Sequence, residues 1–136
     1  MIGRVLDSSA LVAWGRRCSP YVEASVWSRV GHTEYVVPIV VTAPALAAAL
    51  AQLPADTAPV LGALLRMEDV TLVDDLTSHT APDVAEALRS AAPFTAEHVT
   101  AASVVHAARR RCLPVLTFDP APLLALWPGI EVEVIP

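Results

Sequence analysis

Twelve prolines break this 136-residue chain into short segments, and those segments alternate in character. Short apolar, β-branched runs are followed by runs with helical spacing, many opened by a proline. Proline suits the first helical turn, because its missing N–H would be unpaired there anyway. The pattern reads as strands at Ile2–Leu6, Tyr35–Val41, Val70–Val73, Leu113–Phe118 and Ile130–Ile135. Helices are predicted over Ala10–Trp14 (capped by Ser8 or Ser9), Tyr21–Val30 (ended by Gly31 and His32), Pro44–Leu53, Val60–Met67, Pro82 to about Ser90, Thr95–Arg111 and Pro120–Leu126. Strands alternating with helices predict an α/β fold of three layers, with a mainly parallel central sheet of about four to five strands flanked by helices. No linker, repeat or composition break is visible, so residues 1–136 read as a single domain.

Apolar residues make up 54% and charged residues 17%, against a usual ~45–50% and ~25%. Disorder is excluded as the main state. The apolar excess also predicts that a partner covers some surface. The net charge of −5 argues against a globally basic nucleic-acid binder, though not against a local patch. All nine cations are arginine, a bias that GC-rich coding sequence produces. Cys18 and Cys112 have neither metal nor disulfide spacing, which suits a reducing cytoplasm. The N-terminus lacks the features of a signal peptide. Tyr35–Ala55 is uncharged and approaches the length of a membrane span. Pro38, Pro44 and Pro54 interrupt it, so a strand and a proline-initiated helix are expected, with no membrane partner. With five glycines, no phosphate-cradling loop occurs.

In an open parallel sheet, ligands bind past the carboxyl ends of strands. Two such ends carry an aspartate: Val5-Leu6-Asp7-Ser8-Ser9 and Val115-Leu116-Thr117-Phe118-Asp119-Pro120. Two carboxylates so placed can share a hard divalent cation such as Mg²⁺, and the hydroxyls of Ser9 and Thr117 can bond the carboxylates or a metal-bound water. The plainer reading is that Asp7 and Asp119 each cap the helix they precede. His98 lies beside this region in sequence order. Arg109, Arg110 and Arg111 read either as cations favouring a helix C-terminus or as RNA-phosphate contacts. Asp74 and Asp75 read as a turn and a cap. Trp14, Trp27 and Trp127 read as core filler or as interface anchors.

The segments Val5-Leu6-Asp7-Ser8-Ser9-Ala10-Leu11 and Ala107-Ala108-Arg109-Arg110-Arg111-Cys112-Leu113-Pro114-Val115-Leu116-Thr117-Phe118-Asp119 resemble a PIN domain of the VapC type, the toxin half of a bacterial toxin–antitoxin pair. Length and element order agree over essentially the whole chain. The resemblance implies a PIN-like three-layer fold and a Mg²⁺- or Mn²⁺-dependent endoribonuclease built on about four acidic residues. Asp7 matches the first acid and Asp119 the last. It also implies an antitoxin partner, RNA as substrate, and a homodimer, with Tyr21, Trp14 and Trp27 in the early helices that often form interfaces.

The chain departs from that pattern at two acids. The glutamate expected after the second strand is missing, since no Asp or Glu occurs between Glu34 and Asp56. The aspartate expected about eighteen residues before the last acid falls on Ala101. The glycine usual near Cys112 is absent too. Glu97, one helical turn before Ala101, is the candidate substitute. The expectation is therefore a nuclease relative with weak or absent metal binding that acts through a protein partner or RNA. An active endoribonuclease toxin is the alternative, and a small α/β domain of another class the third reading.

Overall fold

The computed structural model describes residues 3–27, 39–67, 70–89 and 95–136. The chain runs β1 (Arg4–Leu6), α1 (Ser8–Arg16), α2 (Pro20–Trp27), β2 (Ile39–Thr42), α3 (Ala43–Gln52), α4 (Ala58–Leu65), β3 (Thr71–Asp74), α5 (Ala81–Leu88), α6 (Ala96–Arg111), β4 (Val115–Thr117), α7 (Ala121–Leu126) and β5 (Val132–Val134). A single 3₁₀ turn, Ala55–Thr57, joins α3 to α4. The five strands form one parallel sheet in the order β3-β2-β1-β4-β5. The result is a three-layer α/β fold, as the alternation predicted.

The central strands are short and mostly apolar because helices cover both of their faces. Val5, Leu6, Ile39, Val40, Val41, Val115 and Leu116 are all fully buried. Small residues let α6 approach closely: Ala102, Ala107 and Ala108 are buried beside Val104 and Val105. Pro44, Pro59, Pro82 and Pro122 stand in the first turns of α3, α4, α5 and α7. Thr42 caps α3 by accepting from the Ala45 N–H at 3.3 Å, and its hydroxyl also meets Ser103 Oγ at 3.0 Å, tying α6 to β2.

Some sequence expectations shift. Helix α1 is longer than Ala10–Trp14, and its cap is Asp7 rather than Ser8 or Ser9. The uncharged stretch resolves into β2 and α3, and among the described residues no helix is long and apolar enough to cross a membrane. Tyr35–Pro38, Gly31, His32 and Ser90, which the sequence placed in or beside elements, lie outside the described residues.

The strand order reverses direction between β1 and β4. From β1 the chain moves outward to β2 and β3; from β4 it moves outward to β5. Right-handed connections then send the intervening helices to opposite faces and open a crevice above the carboxyl ends of β1 and β4.

Candidate functional site

Asp7 lies at the end of β1 and Asp119 two residues beyond β4, so both expected acids reach that crevice. Asp7 N–H donates to Leu116 O at 3.3 Å, extending the β1–β4 ladder to the site itself. The carboxylate is then held on three sides. Asp7 Oδ1 accepts from Ala10 N–H at 3.0 Å and from Ser9 Oγ at 2.6 Å; Oδ2 accepts from Thr117 Oγ1. Each hydroxyl has one hydrogen and gives it to Asp7. Their lone pairs take backbone amides in turn: Ser9 Oγ accepts from Phe118 N–H at 3.0 Å, and Thr117 Oγ1 from Asp119 N–H at 3.1 Å. Ser9 and Thr117 thus bond the carboxylate, as one sequence reading held. They explain why Asp7 rather than Ser9 is free to cap α1.

Burial pushes the Asp7 carboxyl above its ordinary value, because desolvation penalises the charged form. The bonds from Ser9, Thr117 and the backbone oppose this but do not overcome it. Asp119 is exposed, and its Oδ1 accepts from Ala121 N–H at 3.1 Å at the start of α7. Asp7 therefore caps α1, whereas the N-cap of α7 is Pro120 and Asp119 closes a turn just before that helix; both aspartates line one cleft.

That cleft has a volume of about 430 Å³. Ala48 of α3, Ala101 and Val104 of α6, and Pro122 and Leu123 of α7 give it apolar walls, while Gln52 of α3, Asp7, Ser8, Ser9, Thr100, His98 and Asp119 supply its polar side. Thr95 N–H donates to His98 Nδ1 at 2.8 Å, closing the first turn of α6. The neutral ring therefore carries its proton on Nε2. Glu97 lies on the same turn, but its side chain is outside the described residues. No arginine lines the cleft.

Among the described residues, the donor set does not complete a Mg²⁺ or Mn²⁺ centre. Such ions want six oxygens in near-octahedral array, usually with carboxylates among them. Asp7 has already committed three acceptor positions. Where the resemblance calls for two further acids, the walls present alanine. Among the described residues no group of three or more His, Cys, Asp or Glu side chains could hold a metal ion.

The three C-terminal arginines of α6 go separate ways. Arg111 pairs with Asp74 at the end of β3, a partner that the reading of Asp74 as a turn residue missed. Arg109 lies over the Trp127 ring, 5.2 Å from its centroid. Arg109 and Arg110 share a groove of about 340 Å³ with His106 and with Asp83 and Glu86 of α5. Two acids and two exposed arginines therefore line one groove. Trp14 is core, 3% exposed, rather than an interface anchor; Tyr21 is exposed and donates to Glu133. The Trp27 side chain lies outside the described residues. Gln52, Ser8 and Thr100 were missed by the sequence reading: neutral side chains carry no motif, and only the packing of α3 and α6 over the crevice brings them in.

No protein-family model matches the chain, and no curated protein matches it. Among solved structures, the crystal structure of PAE2754 from Pyrobaculum aerophilum is similar, with 19% identity over 96% of this chain and 90% of that one, and a TM-score of 0.52. At that identity the likeness shows a shared fold and nothing further.

Proposed function

We propose that this chain is a PIN-type domain resembling the VapC toxins, related by descent to metal-dependent endoribonucleases, that works by binding rather than by cutting. On this reading it acts in the cytoplasm, as a homodimer or with a protein partner such as an antitoxin. One observation carries the proposal. The crevice where β1 and β4 diverge gathers Asp7 and Asp119 against Ala48, Gln52 and Ala101, on the helices that in the resemblance bring the other acids. The frame of an acidic centre is kept and half of its charge is gone. Two carboxylates with no cation among the lining residues also repel a phosphodiester, so RNA gains nothing from entering the cleft unaided.

The alternative is an active Mg²⁺- or Mn²⁺-dependent toxin in which Glu97 supplies a third carboxylate. Calorimetric titration with Mn²⁺, beside cleavage of a mixed single-stranded RNA, separates the two. The binding reading expects no heat attributable to a site up to millimolar Mn²⁺ and no cleavage above a buffer control. Micromolar binding lost in Asp7→Asn, with cleavage lost in Glu97→Gln, would overturn it in favour of the nuclease.

A further inference from the structure

The two edges of the sheet are finished differently. At β5, Val134 is 51% exposed, but Glu133 pairs with Arg4 and accepts from Tyr21, so a charged pair and α2 stand at that edge. At β3, side chains alternate between the two faces, yet Leu72 and Val73 are 41% and 43% exposed, and Leu76 just beyond is 41% exposed. Neither helical layer covers this half of the strand. Thr71–Asp74 also carries no lysine, arginine or proline, the residues that commonly guard an edge against pairing.

The backbone there is set out for a guest. Ile39 N–H donates to Val70 O at 2.7 Å, and Ile39 stands opposite Thr71. In a parallel ladder this phase turns the amide and carbonyl of Leu72 toward β2 and those of Val73 outward. Thr71 N–H is returned to Met67 O at 2.8 Å. Among the described residues, nothing bonds the outward amide and carbonyl of Val73.

Charge selects the occupant. Asp74 is paired with Arg111, but the exposed Asp75 has no ion-pair partner among the described residues. In the sequence, the strand is bracketed by Glu68-Asp69 and Asp74-Asp75. A second copy of this chain brings the same acids and the same net charge of −5, so repulsion opposes self-pairing at this edge. A strand with an apolar centre and basic ends meets no such opposition. We infer that the outer edge of β3 is a docking site for an extended segment of a protein partner. Main-chain bonds to Val73 hold the segment, apolar side chains lie against Leu72, Val73 and Leu76, and basic residues sit beside Asp75. This surface is separate from the cleft and does not depend on what the cleft binds.

The test is selection of random 12-residue peptides displayed on phage against the purified full chain, followed by synthesis of the enriched peptide. Enriched peptides should alternate apolar residues and end in Lys or Arg. At saturation, the best should slow amide exchange at Val73 at least tenfold. Val73→Pro removes the outward amide together with the valine side chain, at a position where an edge strand tolerates proline, and should weaken binding at least tenfold, whereas Val73→Thr keeps the amide and should weaken it less. Asp75→Lys should shift selection toward acidic ends. If Val73→Pro does not fold, amide exchange in the unaltered chain decides. Failure to enrich any peptide, enrichment without slowed exchange at Val73, or a dimer that already protects Val73 would overturn the inference.

Discussion

Asp7 is ionisable, nearly enclosed, and bonded by two hydroxyls and an amide instead of a cation. A carboxyl raised by burial binds its proton more tightly in the fold than in the open chain. Its contribution to stability is therefore full below the ordinary value of 3.8 and declines as pH rises through the raised value in the fold. Asp7→Asn keeps an acceptor for Ala10 N–H and removes the charge. Thr117 Oγ1, 3.1 Å from Asp119 O, has another acceptor for its hydrogen when the amide faces it. Urea denaturation should find Asp7→Asn at least as stable as the unaltered chain at pH 7, with a flatter pH dependence above pH 4. Asp7→Ala loses the cap on Ala10 N–H and the acceptor for the Ser9 hydroxyl, so it should be less stable by about 1–2 kcal/mol. This residue also shows how far sequence alone reaches. Its place at a strand end and its dual reading as cap and cleft acid were legible. The hydroxyls of Ser9 and Thr117 were legible as partners too, but the depth of its burial was not, because that depends on how the elements pack around it.

Among the elements, α6 ends under strain that its sequence already marked. Cys112 closes the helix in the left-handed region, with φ 53°, and its N–H reaches back to Ala108 O and Arg109 O. A side chain there costs ~1–2 kcal/mol, and the position lies near where the resemblance calls for a glycine. Cys112→Gly should raise stability by about 0.5–1 kcal/mol, once glycine's greater freedom in the unfolded chain is deducted. Thermal unfolding in reducing buffer measures it. Element types were legible because proline and β-branched runs act locally. The arrangement of β3 was less so: Val70–Val73 reads as a buried strand, yet Leu72 and Val73 are exposed, since burial depends on the strand's place in the sheet. Nor does any local pattern reveal that Arg111 would turn from its helix to Asp74. The two acids that the resemblance calls for were legible as absences, and the walls of the cleft became meaningful only when α3 and α6 were seen to form them.

At the scale of the molecule, the most central strand is the first one made. β1 stands in the middle of the sheet, with Val5 between Val40 on one side and Val115 on the other. On a ribosome, β1 emerges early and must wait for nearly the entire chain before its second flank exists. Until then, an apolar strand has one open side, and the crevice that depends on that flank has no second wall. Such non-local parallel pairing folds slowly and exposes sticky intermediates. A chain halted after Arg111 should therefore show neither cooperative unfolding nor protected amides at Val5 and Leu6 in hydrogen exchange. Order in β1 is a report that β4 has arrived.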